Sequence, residues 1–186
     1  FTPPQNTLDN PFINSFNKLR SALPHPGFWI LATTFFICGL TSNGLVTQHF
    51  IPFCADNNVG IIAASSYLAL MGIFNFLGTT GSGWLSDRFD NFKLLAAYYG
   101  FRGLSLLYLP YSSFDALSLS VWALFFGLDF IATVPPTVRL SGKFFGPVDG
   151  PIIFGWIFAF HQLGAAVAAF GAGVSRDICL LYTSDA

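Results

Sequence analysis

Five polar side chains stand where the surrounding sequence is almost wholly apolar: Asn75, Arg102, Asp129 and the adjacent pair His161-Gln162. A carboxylic acid and an imidazole can take up a proton, and a guanidinium can grip a carboxylate. Such a charge at the centre of a membrane-spanning helix costs about 2.5–3.5 kcal/mol, so it ordinarily faces protein or water and has a partner. Asn43, next to Gly44, belongs with this group. Other chemistry finds no support in the spacing. The three histidines, His25, His49 and His161, fall in different segments, and neither HExxH nor GxSxG occurs. No Walker A loop or dinucleotide fingerprint is present. Cys38, Cys54 and Cys179 form no CxxC pair and suggest neither a zinc site nor a disulfide framework. No catalytic residue, metal or cofactor is therefore expected.

The elements that must position these groups are membrane helices. Of 186 residues, 53% are hydrophobic and only 9% charged, against about 25% charged in a soluble domain. Mean hydropathy is +0.60. So little charge cannot coat a water-facing globule, and lipid is the expected solvent. A net charge of −1 excludes a basic nucleic-acid-binding surface. A spanning helix needs about 20 apolar residues. Five stretches qualify, 28–53, 59–85, 92–111, 114–138 and 151–174. Short polar links such as Ser86-Asp87-Arg88-Phe89-Asp90-Asn91 make consecutive segments antiparallel. The expected fold is an all-α, polytopic membrane helix bundle, with 28–178 as the bundle.

Residues 1–27 read as a cytoplasmic linker, Asn-rich and ending in the breaker Pro24-His25-Pro26-Gly27. The chain starts with Phe1, has Met71 as its one methionine, and shows no signal peptide. Residues 179–186 resemble a translated adapter sequence and are expected to be a non-native tail. The chain is thus expected to be cut at both ends. Lys18 and Arg20 precede the first segment, Arg88 and Lys93 flank the second link, and Arg139 and Lys143 flank the fourth. The first and third links hold Asp56 and Asp115 and no basic residue. Positive residues favour the cytoplasmic side, which orients every segment, with Arg176 as the exception.

Counted from the cytoplasmic ends, the intramembrane polar groups sit about 9–12 residues in, or about 13–18 Å deep, so they can share one layer. Gly72, Asn75, Thr79, Ser82 and Ser86 fall at steps of three and four, as do Ser118, Trp122, Phe125, Asp129 and Thr133. Such a stripe lines an aqueous cavity or bonds to a neighbouring helix. Arg102 likewise has two readings, a grip on a substrate carboxylate or a buried structural ion pair with Asp129. Two small-residue seams on the fifth segment, one through Gly155, Ala159 and Ala166, the other through Gly164, Ala168 and Gly171, predict close helix packing. Pro135-Pro136 predicts a bend in the fourth.

The stretch Gly83-Trp84-Leu85-Ser86-Asp87-Arg88-Phe89-Asp90-Asn91-Phe92-Lys93 resembles the cytoplasmic loop motif of the major facilitator superfamily. Gly83, Asp87 and Arg88 match it. Asp90 stands where the family has Gly, and Lys93 alone stands for the basic cluster. Thr133-Val134-Pro135-Pro136-Thr137-Val138-Arg139-Leu140 and His161-Gln162-Leu163-Gly164 look similar to bacterial members near the monocarboxylate-porter branch. The resemblance implies helices seven to eleven of a twelve-helix transporter, in a bacterial cytoplasmic (inner) membrane. The segments are then five of a six-helix half, and the N-terminal half of the same protein is a partner. It implies a role for Asp87 at the positive start of the fifth segment, near Gly150-Pro151, and close helix contact at Gly83. It also implies a cavity lined by segments one, two, four and five, which leaves Arg102 outside. Asn43, Asn75, Asp129, His161 and Gln162 are then the candidates for the substrate and proton pathway. The expected function is symport of a small solute, a monocarboxylate with a proton, by alternating access. A transporter-like sensor or scaffold, or a membrane-embedded enzyme, are the alternatives.

Overall fold

The computed structural model describes residues 11–184; residues 1–10 of the expected linker and 185–186 of the expected tail lie outside them. Among the described residues every regular element is helical. Where a linker was expected, Pro11–Ala22 forms a helix, α1. Its Leu19 and Ala22 pack into a core, and that contact stabilises a helix that composition alone does not favour. The next helix, α2 (Pro26–Gly39), starts with Pro26, and His25 caps it by accepting from the Gly27 N–H at 3.1 Å. It continues through a π-helical stretch, Leu40–Val46, into α3 (Thr47–Asp56).

Asn58, at φ 62°, turns the chain into α4 (Ile61–Ser86). Asp90 then caps α5 (Asn91–Tyr108) by accepting from the Phe92 and Lys93 N–H groups. A 3₁₀ turn, Leu109–Tyr111, follows, and Asp115 caps α6 (Ala116–Asp129). The last helical run, α7 (Val134–Ser184), is broken at Gly146, whose φ of 86° suits glycine alone. The chain doubles back there. The Ser141 hydroxyl donates to the Gly150 carbonyl at 2.8 Å, and a Cβ on Gly150 would stand 2.7 Å from the Gly142 Cα. Two antiparallel arms of α7 result.

Three helical runs are long and apolar enough to cross a membrane: Pro26–Asp56, Ile61–Ser86 and Ala116–Cys179. The third, at 64 residues, contains two of the expected segments. The third expected segment, α5, is not among them, because Lys93 and Arg102 lower its apolarity. Large apolar side chains such as Ile62, Phe76, Leu104 and Phe170 point outward, the reverse of a water-soluble globule.

The second arm of α7 packs on α2 through backbone contact. A Cβ on Gly39 would collide with the His161 carbonyl, and one on Gly164 with the Phe36 carbonyl. Of the two expected seams, the one through Gly164 and Ala168 makes this contact, while Gly155 faces open space. A similar approach joins α4 to α6, where Gly78 lies against the Leu128 backbone and Gly127 against Met71. Dispersion between closely approached backbones holds such pairs, since lipid offers no hydrophobic drive between helices. Two apolar cores form. One stacks Phe50, Trp122 and Phe126; the other gathers Phe28, Leu31, Phe35, Leu140, Ile153 and Ile157. Along both α2–α3 and α6–α7 a polar stretch separates them, residues 38–43 and 129–137.

Candidate functional site

The polar layer is built on two places where a helix departs from α geometry. The first is residues 130–133, between α6 and α7. Pro135 and Pro136 lack the N–H groups that would reach back to the Ile131 and Ala132 carbonyls. The backbone tightens instead, with Phe130 N–H bonding to Gly127 O, Ala132 to Asp129 and Val134 to Ile131. The expected bend is thus a break lying just before the prolines.

Side chains from other helices satisfy what the break leaves open. Ser82 of α4 donates to the Ala132 carbonyl at 2.5 Å. Nη2 of Arg102, from α5, donates to the carbonyls of Asp129 at 2.7 Å and Phe130 at 3.1 Å. Oδ1 of Asn75 accepts from the Ile131 N–H at 3.2 Å and from the Thr79 hydroxyl at 3.1 Å. An unmet backbone group in an apolar interior costs about 1–3 kcal/mol, so each of these bonds matters.

Arg102 is the hub. Its Nε donates to Oδ2 of Asp129 at 2.6 Å, and its Nη1 to the Cys38 sulfur at 2.7 Å. Arg102 is 2% exposed and Asp129 4%. Of the two readings of Arg102, the geometry is that of a buried ion pair which also closes a helix break. The Cys38 sulfur lies 3.5 Å from the Thr133 hydroxyl, so the guanidinium and the thiol together tie α2 to both sides of the break. Cys38 was not among the candidate site residues, although it falls at helical spacing with Thr34 and Thr41.

The second irregularity is the π-helical stretch Leu40–Val46. Here the hydrogen bonds are mostly local: Thr41 donates to the Ile37 carbonyl, Ser42 to Cys38, and Thr47 to Ser42. Asn43 alone reaches outward, its Nδ2 lying 3.3 Å from Nε2 of His161. With Asn43 as donor, the neutral imidazole carries its proton on Nδ1. That nitrogen is buried without a hydrogen bond among the described residues, as is Oδ1 of Asp129. The His161 ring stacks on Phe158 at 5.3 Å and leans on Phe35.

Of the sequence candidates, Asn75, Asp129 and Arg102 are gathered at the break, and Asn43 and His161 at the π stretch. Gln162 is not brought in: it is exposed, about 100° round its helix from the buried His161. A cleft of about 460 Å³ that reaches this layer lies between α2 and α5 rather than among segments one, two, four and five. Ile30, Ile37, Leu95 and Leu106 wall it, with Tyr99 and Arg102 at its edge.

The loop motif is placed differently from expectation. Asp87 forms an ion pair with Arg139 on α7 rather than meeting the helix start near Gly150-Pro151. Both groups are about half exposed, and the guanidinium outcompetes a partial helix-end charge for the carboxylate. Gly83 faces open space, so no close helix contact occurs there. Arg88 stands over the Trp84 ring at 4.1 Å, and the Lys93 backbone N–H serves the α5 cap. At the other end Arg176, the exception in the charge pattern, pairs with Asp56 at 2.7 Å. No protein-family model, curated protein or solved structure matches this chain.

Proposed function

We infer that this chain is part of a secondary active transporter of the major facilitator type, contributing five spans of a half-bundle to a solute pathway in a bacterial cytoplasmic membrane. The five spans are Pro26–Asp56, α4, α5, α6 with the first arm of α7, and the second arm of α7. The proposed cargo is a small carboxylate moved with a proton, and no enzymatic step is involved. The observation that carries this reading is the buried polar layer between two apolar cores, built on a broken helix and a π-helical stretch. Irregular backbone at membrane depth is tolerated where protein or an aqueous cavity satisfies it, and transporters place their sites at such points.

Within that layer the roles divide. Arg102, Asp129, Asn75 and Ser82 hold the break, while His161 with Asn43 is the pair left able to exchange a proton or a solute contact. Uptake of radiolabelled small carboxylates by vesicles carrying the full-length protein tests this. Uptake that collapses with the proton gradient, and again in His161→Ala, supports it. Proton-coupled uptake surviving both His161→Ala and Asp129→Asn would remove the proton role. No uptake of any carboxylate by inserted protein would leave the sensor or scaffold reading.

A further inference from the structure

The helix preceding the first span has three faces, and on the third Ile13 is mostly exposed while the Phe16 ring touches Trp156 at 5.0 Å on one side only. Ser15, Leu19 and Ala22 lie on the face turned to α7. The Trp156 indole N–H donates to the Ser15 carbonyl at 3.2 Å and hydroxyl at 3.1 Å, and Lys18 pairs with Asp149 at 2.9 Å. Asn14, Asn17 and Ser21 are exposed on a second, polar face. Ile13 and Phe16 lie about 60° apart on the third, with Arg20 one turn beyond Phe16. Ile13 is 58% and Phe16 59% exposed.

Depth and charge decide what covers that face. Trp156 lies seven residues along α7 from Asp149, about 10 Å of helix rise. The apolar face beside Trp156 is therefore about as deep as an interfacial helix buries its apolar residues. Ring contacts of His25 with Phe144 and Phe145, and of Phe92 with Phe144, bring the α1–α2 turn, the start of α5 and the Gly146 reversal to the same end. Arg20, Lys93 and Lys143 are exposed at that end and have no ion-pair partner among the described residues, whereas Asp149 and Asp87 are already paired and Asp90, also exposed, caps α5. The surplus is positive, and an anionic leaflet complements it.

We propose that α1 is an interfacial helix which seats Ile13 and Phe16 in the acyl boundary of an anionic leaflet, with Arg20, Lys93 and Lys143 at the level of the lipid phosphates. The occupant is anionic phospholipid. This rests on the chain being embedded in a bilayer and goes beyond the transport reading, which does not require it.

Nitroxide labels on Ile13→Cys, Asn17→Cys and, as a control on α4, Ile73→Cys test the seat, in a Cys179→Ser background that leaves only buried Cys38 and Cys54. The whole chain is reconstituted in phosphatidylcholine with and without phosphatidylglycerol. The label at 13 is expected to collide with oxygen and be shielded from a water-soluble nickel chelate, and the label at 17 to show the reverse. Spin-labelled phosphatidylglycerol is expected to be preferred over phosphatidylcholine at the protein surface. That preference should fall by up to about fivefold for each of Arg20→Gln and Lys143→Gln. Nickel access at 13 equal to that at 17 overturns the seat, and shielding of 13 from both probes means that protein covers it. An unchanged lipid preference in both glutamine variants overturns the anionic occupant. Nickel access at 73 as well would mean that the bilayer embedding itself fails.

Discussion

The helix break at residues 130–133 and the π-helical stretch Leu40–Val46 solve the same problem in opposite ways. Both free backbone groups at membrane depth. At the break the groups are met from outside, by Asn75, Ser82 and above all Arg102, and every nitrogen of that guanidinium is engaged. At the π stretch they are met from within, by Thr41, Ser42 and Thr47. This leaves Asn43 free to reach His161, whose second ring nitrogen has no hydrogen bond among the described residues. At the break nearly every group is engaged, Oδ1 of Asp129 being left over among the described residues, and such a network gives a unique geometry and resists change. A locally satisfied one can lend a side chain to something else. The break is therefore the better candidate for a fixed point and the π stretch for a responsive one.

Removing the hub should separate the two most sharply. Arg102→Leu leaves a buried carboxylate and the Phe130 carbonyl unmet, and thermal unfolding in detergent is expected to show a loss of about 3–5 kcal/mol. Arg102→Leu with Asp129→Leu should recover most of it, because the uncompensated charge goes too. Failure of the double variant to recover would mean that the carbonyl contacts, not the ion pair, dominate.

Packing tests the other region next. Gly39→Ala drives a methyl into the His161 carbonyl and should cost about 1–3 kcal/mol by the same measurement. It should also displace His161 from Asn43, readable as a shift of the imidazole resonances. Ser82→Ala leaves the Ala132 carbonyl unmet, for a loss of about 1–3 kcal/mol with the imidazole undisturbed. The smallest effect is expected at Asn43→Leu. Asn43 is half-buried and its side chain meets His161 rather than a backbone group, so stability should change by roughly 0.5 kcal/mol or less while the proposed transport falls. A large loss of stability there would erase the contrast between the two regions.

Much of the helical framework is legible in the residues. The runs 59–85 and 92–111 correspond to α4 and to α5 with its 3₁₀ turn, since apolar stretches bounded by polar turns leave little choice of helix ends. The bend at Pro135-Pro136 is legible as well, because a missing N–H acts wherever the chain goes. The α1 helix was not, since its stability comes from packing on α7 rather than from its own composition. The charge carried by α5 is a sharper case. Lys93 and Arg102 make α5 too polar by itself, and only the burial of Arg102 against Asp129 shows how that charge is accommodated.

By itself, then, the sequence determined that this protein is helical, apolar and furnished with a few polar groups near one depth. Those properties follow from composition and from the period of the α-helix. Which of the groups meet was decided by the tertiary structure. Asp87 found Arg139, Arg102 found Cys38 as well as Asp129, and Gln162 stays exposed, although its neighbour His161 is buried. A helix turns 100° per residue, so adjacent side chains face different surroundings. Depth can be counted along a chain, but the facing partner depends on how the helices are rotated against one another. Close contacts at Gly39, Gly78 and Gly164 set that rotation.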